Sequence, residues 1–201
     1  MALAVAALRA ETILPTENGA TWEYVVRDSA KGGEPASVTV RINGTAQFGS
    51  KDLLKLETLV DDAVIKTEFI SVDERGVHCH QRAGADGRAT ILEPPQTTVS
   101  FPLKIGATWQ VDDHVAGSAT QQFTITAEEE VTVPAGTFRT FRLHCDQPWP
   151  ISTLMHRWFA PGTGVVKDVT VTRGPNGRLL SRATAVLKEF TVAPQRVDDT
   201  P

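Results

Sequence analysis

Apolar and polar residues alternate along this chain in short runs, and Gly, Pro, Asn and Asp separate the runs. Alternation with a period of two puts successive side chains on opposite faces of an extended strand. In AVIKTEFISV (63–72), Ile65, Thr67 and Phe69 share one face, while Val64, Ile70 and Val72 share the other. The same pattern predicts strands over 20–27, 36–43, 77–82, 138–145, 155–159, 165–173 and 179–192. In 138–145, Phe141, Leu143 and Cys145 alternate with Arg142 and His144, which places Cys145 on the inward side and His144 on the polar side. ATQQFTITA (119–127) and VTV (131–133) keep one parity through Phe123, Ile125, Val131 and Val133, so they read as one long half-buried strand.

Two segments leave alternatives open. Ser50 is suited to cap a helix over 51–60, but Leu54, Leu56 and the run to Val60 favour a strand. Residues 92–100 carry Pro94 and Pro95 and read as a linker or an edge connection. The turns DERG (73–76), ADG (85–87), PAGT (134–137) and GPNG (174–177) supply the glycines that tight reversals need. The expected fold class is therefore all-β, with about ten antiparallel strands. It is either a curled, partly open sheet or barrel, or a sandwich.

The octets PTENGATW (15–22) and PLKIGATW (102–109) share P-x-x-x-G-A-T-W. Neither holds an activated acid, base or nucleophile, because a strand threonine has no activating neighbour here. A structural reading suits them: proline sets φ, glycine permits a tight approach, and tryptophan opens a strand as a large core plug. The pattern predicts one β domain over 13–193, with related halves near 13–92 and 99–193. It is preceded by an extension at 1–12 and followed by a loose tail at 194–201.

Composition changes this picture only by exclusion. The hydrophobic fraction of 41% is enough for a real core. One Tyr and four Trp are too few for an aromatic nucleic-acid platform. A formal net charge of -4 without a basic stripe excludes a partner held through phosphates, so no nucleic acid is expected. The apolar start MALAVAALRA (1–10) lacks a basic region and is too short to span a bilayer. If it is the remnant of a signal peptide, the protein is periplasmic or secreted; if not, it is cytoplasmic. No transmembrane segment is expected, and oligomeric state is left open.

Candidate chemistry centres on histidine and cysteine. His78 and His80 flank Cys79 on alternate strand positions, and His144 precedes Cys145. Imidazole and thiolate donors suit zinc or copper, yet this spacing matches neither a C-x-x-C knuckle nor an H-E-x-x-H helix. Core cysteines and strand histidines explain the pattern as well, and no cofactor is implied. The two cysteines also permit one disulfide, Cys79 to Cys145. No G-x-S-x-G elbow is present. The acidic runs Asp61-Asp62, Asp112-Asp113 and Glu128–Glu130 place neighbours on opposite strand faces, so adjacency builds no facing acid pair. The binding candidates are Trp149, in the rigid stretch QPWP (147–150), together with Trp158 and Phe159.

VTVPAGTF (131–138), WFAPGTGVVK (158–167) and PLKIGATW together resemble the signatures of uncharacterised exported bacterial β proteins, best over 99–190. The resemblance implies a periplasmic, outer-membrane-attached or secreted location, and it supplies no catalytic residues. Many such proteins look lipid-anchored, whereas this chain has no N-terminal lipobox cysteine. A further analogy, of fold alone, is to the curled sheets of lipoprotein carriers. The function expected is a non-enzymatic envelope or secreted domain that binds a lipid, another apolar ligand or an envelope protein. The alternatives are a metal-binding or hydrolytic enzyme using the His/Cys pairs, and a purely structural envelope protein.

Overall fold

The computed structural model describes residues 13–113, 119–148 and 151–192. The extension at 1–12, the tail at 194–201 and Trp149 lie outside the described residues. Twelve strands follow one another: β1 (Thr21–Asp28), β2 (Ala36–Phe48), β3 (Lys51–Val60), β4 (Ala63–Asp73), β5 (Gly76–Gly84) and β6 (Ala89–Ser100). They continue with β7 (Thr108–Asp113), β8 (Ala119–Val133), β9 (Gly136–Gln147), β10 (Ser152–Ala160), β11 (Gly164–Arg173) and β12 (Leu179–Thr191).

All twelve belong to one antiparallel sheet, ordered β6-β5-β4-β3-β2-β1-β12-β11-β10-β9-β8-β7. Each strand pairs with its neighbours in the chain, β6 and β7 excepted, and β1 pairs with β12. The sheet thus curls nearly into a barrel, with a single unsealed seam between β6 and β7. A sandwich is excluded, because the sheet is continuous. The segment at 51–60 is β3, as expected. The two strands beyond the expected ten are β6 and β7. Pro94 and Pro95 fit in β6 because it is an edge strand, and they lie where its ladder to β5 shifts register between Gln96 and Ile91.

Both copies of P-x-x-x-G-A-T-W build the same strand start. In the first, the Gly19 amide donates to Ile42 O at 2.8 Å and the Ile42 amide returns to Ala20 O at 2.9 Å. In the second, the Gly106 amide donates to Ile125 O at 2.8 Å and the Ile125 amide returns to Ala107 O at 2.9 Å. Gly19 and Gly106 adopt φ of 88° and 87°, a left-handed conformation that glycine takes without strain. Each tryptophan then stacks on a phenylalanine, Trp22 on Phe190 and Trp109 on Phe123.

These strand starts lie at the end of the barrel that the core closes. Ile13, Ile70, Val77, Val99, Ile125, Leu143 and Phe159 form one buried cluster there. Trp22, Ile42, Val133, Val166 and Leu187 form another. The β8–β9 turn folds beneath the sheet, where the Ala135 amide reaches Leu187 O at 3.1 Å. Leu14 packs against both clusters.

Candidate functional site

Above this floor the barrel encloses a cavity of about 710 Å³. That lies within the range of about 300–1,000 Å³ usual for small-molecule sites. Its lower wall is apolar: Trp22, Ile42, Ile70, Val77, Val99 and Phe159. Val38, Val111, Phe123 and Met155 continue the apolar lining upward. Strand alternation explains most of this, since each strand offers every second residue to the lumen.

A belt of charge crosses the apolar lining. On β4, Glu68 and Lys66 continue the inward parity of Ile70, and all three line the cavity. On β5 the parity shifts: Ile70 pairs with Cys79 and Phe69 with Gln81, which leaves His80 as a bulge. The bulge is what allows Cys79 and Arg82 to face the same lumen. Glu68 takes an ion pair from Lys66 at 2.7 Å and another from Arg82 at 3.0 Å. Burial pushes the Glu68 carboxyl up, but Lys66 and Arg82 outweigh it and hold it below its ordinary range.

The other side of the belt comes from β10 and β11, five to seven strands from β4 and β5 in the sheet order. There Arg157 Nε donates to Asp168 at 2.9 Å, and the Thr170 hydroxyl donates to the same carboxylate at 2.7 Å. Burial works against the Arg157 cation; Asp168, with Glu68 across the lumen, outweighs that and keeps its pKa above the ordinary value. The Tyr24 hydroxyl donates to Val165 O at 2.7 Å, and burial raises its pKa. The Lys66 and Arg82 side chains keep 41% and 35% exposure, so solvent reaches the belt.

The end of the barrel opposite the floor carries most of the exposed large apolar residues. Val64 and Ile65 start β4, Ile91 lies early in β6, Ile151 and Leu154 flank the start of β10, and Leu179 and Leu180 start β12. The outer wall, in contrast, carries ion pairs such as Arg41–Glu57 at 2.8 Å and Lys188–Glu23 at 3.3 Å. A lipid-facing barrel requires an apolar outer band, which these charges interrupt. Among the described residues no helix is long and apolar enough to cross a membrane.

The residues singled out from the sequence divide between the two faces. Phe159 is 1% exposed and forms part of the cavity floor. Trp158 faces outward; its indole donates to Glu129 Oε1 at 2.6 Å, and Lys167 Nζ lies 4.6 Å from its ring centre. Cys79 and Cys145 are both buried free thiols, and both line the cavity. Burial pushes each thiol up to about 11.

The candidate histidines His78, His80 and His144 do not converge on one site. His78 contacts Thr97 Oγ1 at 3.0 Å and Asp73 Oδ1 at 3.2 Å, and His80 contacts Ser71 Oγ at 2.9 Å. His144 lies on β9, with β6, β7 and β8 between it and β5. It pairs across the sheet with His156, their ring centres 5.0 Å apart. Among the described residues, no three His, Cys, Asp or Glu side chains gather to hold a metal ion. This geometry argues against the metal-binding and hydrolytic readings of the His/Cys pairs. Sequence reasoning missed the belt residues Lys66, Glu68, Arg82, Arg157 and Asp168; for Lys66, Glu68 and Arg157 the available signal was charge on the inward parity of a strand.

No family model matches the chain, and no curated protein sequence matches it. Two solved structures resemble it in overall path. One, from Bacteroides fragilis, is described as an exported protein with a YmcC-like fold. It is 13% identical with a TM-score of 0.49, over 90% of this chain and 99% of that one. The other, from Parabacteroides distasonis, is described as a lipoprotein. It is 14% identical with a TM-score of 0.41, over the same shares of the two chains. At these identities and scores neither likeness fixes a function.

Proposed function

We propose that this protein is a non-enzymatic binding domain of the cell envelope or the secreted fraction, and that its lumen takes up an apolar ligand. One observation carries the reading: a cavity of about 710 Å³, apolar over most of its wall, above a packed floor. Most of the exposed large apolar residues gather at the opposite end of the barrel, which favours entry of a ligand there over docking through a flat outer patch. The envelope setting rests on the resemblance carried by PLKIGATW, VTVPAGTF and WFAPGTGVVK.

Native mass spectrometry of protein purified from its own cell fractions tests the reading. The expected spectrum contains a bound mass that organic extraction releases and that protein unfolded and refolded from denaturant lacks. A ligand-free protein from every fraction would contradict it.

A further inference from the structure

We propose that one side of the barrel mouth docks on the surface of a bilayer with anionic headgroups, through arginines and exposed leucines of the β11–β12 hairpin and the neighbouring ends of β10 and β1. The inference goes beyond the lumen reading and does not depend on what the lumen holds. Elsewhere on the barrel every described arginine, from Arg41 and Arg75 to Arg142 and Arg157, forms an ion pair with a carboxylate. Arg27, Arg173, Arg178 and Arg182 form none among the described residues, and all of them are exposed. No basic stripe runs along the chain, but the strand order brings these arginines to one place.

The register shows how closely they gather. Arg27 pairs with Thr184 on β12, so it stands diagonal to Arg182, at a Cα separation of about 7–8 Å. Val26 and Ala185 line the cavity, so alternation turns Arg27 and Arg182 to the outer face. In the same outer row Arg182 pairs with Val171, and Val171 with the exposed Leu154. Arg173 and Arg178 flank the hairpin turn, and the exposed Leu179 and Leu180 follow it. The described carboxylates on this side are Asp28, Glu34 and Asp146, which these arginines and Lys31 outnumber. Asp28 is already held by the Ser181 hydroxyl at 2.7 Å and the Arg182 amide at 3.0 Å. Across the mouth, the β3–β4 and β5–β6 turns carry Asp61, Asp62 and Asp86 instead, so only the hairpin side suits an acidic surface. Charge alone would match an acidic protein as well. The leucines beside the arginines favour a bilayer, where guanidinium groups meet headgroup phosphates and leucines enter the acyl boundary. Lys188 and Glu23 pair lower on the same wall, so the contact ends near the mouth.

Vesicle flotation tests this, with phosphatidylcholine alone against phosphatidylcholine mixed with phosphatidylglycerol. The unaltered protein should float with the mixed vesicles only, and added salt should release it, because exposed charges are screened. Arg178→Gln combined with Arg182→Gln should weaken binding about 25-fold, at about fivefold for each cation near the surface. Leu180→Ser should weaken it at least about threefold. Lys51→Gln combined with Lys104→Gln removes the same charge from exposed positions at the floor end and should leave binding unchanged. Equal binding to both kinds of vesicle would overturn the proposal. Binding to neither would also overturn it and leave the arginines to an acidic protein. An equal loss in the Lys51 and Lys104 variant would show an effect of net charge and overturn the site. Full affinity in Leu180→Ser would overturn the seating of the leucines. The comparison of vesicles uses the unaltered protein, so a folding defect in a variant cannot decide it. None of these results bears on the lumen, which the search for a bound mass tests by itself.

Discussion

The indole of Trp109 donates a hydrogen bond to Thr97 O at 2.9 Å, joining β7 to β6 where no backbone ladder does. Gln96 Nε2 adds a longer bond to Asp112 O, at 3.5 Å, across the same gap. The seam is thus held by side chains, while every other junction is held by backbone pairs. Trp109→Phe keeps a ring to stack on Phe123 but removes the donor. We expect a loss of about 1–2 kcal/mol of stability. Hydrogen exchange should quicken at the amides of β6 and β7, with the β1–β12 junction unchanged. Trp22→Phe, which loses a bond to Thr163 O at 2.6 Å, is the control: similar destabilisation, no change at the seam.

Gly76 opens β5 with φ of +150°, and a Cβ there would lie 2.1 Å from Val99 O. Backbone cannot yield as a flexible side chain does. Gly76→Ala is expected to cost about 2–4 kcal/mol in chemical denaturation. Gly32→Ala, at φ +68° with open space around it, should cost about 1 kcal/mol.

On the outer wall, Glu57 is nearly buried and takes 2.9 and 2.8 Å bonds from Arg41, a 3.0 Å bond from Asn43 and a 2.6 Å ion pair from Lys55. These partners, Lys55 first, hold its carboxyl at about 2 against an ordinary 4.5. A depressed folded pKa means the unfolded chain binds the extra proton. The contribution is therefore complete above an ordinary carboxyl pKa and fades as pH falls toward about 2. Glu57→Gln should lose about 1.5–3 kcal/mol at neutral pH. Its deficit relative to the unaltered protein should shrink through that acid window. A deficit independent of pH would show that the charge is not the cause.

Cys79 and Cys145 are 0% and 2% exposed, with thiols pushed up to about 11. At about pH 8 only about one thiol in a thousand is ionised. Ellman's reagent should find two thiols after denaturation without reductant, and should react at least about 100-fold more slowly with the folded protein. No thiol after denaturation would show the two joined.

Much of this fold is legible in the alternation of the chain, because each of the ten expected strands buries one face. Both P-x-x-x-G-A-T-W copies also read correctly as strand starts rather than as chemistry. The course of β6, and how far β7 runs beyond Trp109, were hidden for local reasons. Two prolines interrupt β6, and β7 is six residues long with Asp112 and Asp113 at its end. The belt was harder to see. Lys66 and Glu68 share parity with Ile70, but charges in a strand read by default as solvent-facing. Arg82 gave no signal at all, because the His80 bulge that turns it inward depends on pairing with two neighbouring strands. Trp158 and Phe159 are adjacent in sequence and so face opposite sides, which only the direction of curl could assign.

Methyl-detected NMR during a titration with methyl myristate tests the central claim, that the lumen takes up an apolar chain, without relying on any charge. The account predicts saturable shifts at Ile70, Val77, Val111 and Met155, which line the cavity. Val169 and Val171, on the strand that faces Met155 but absent from the lining, should stay in place. Shifts confined to exposed residues such as Ile91 and Leu180, with the lining unmoved, would contradict it.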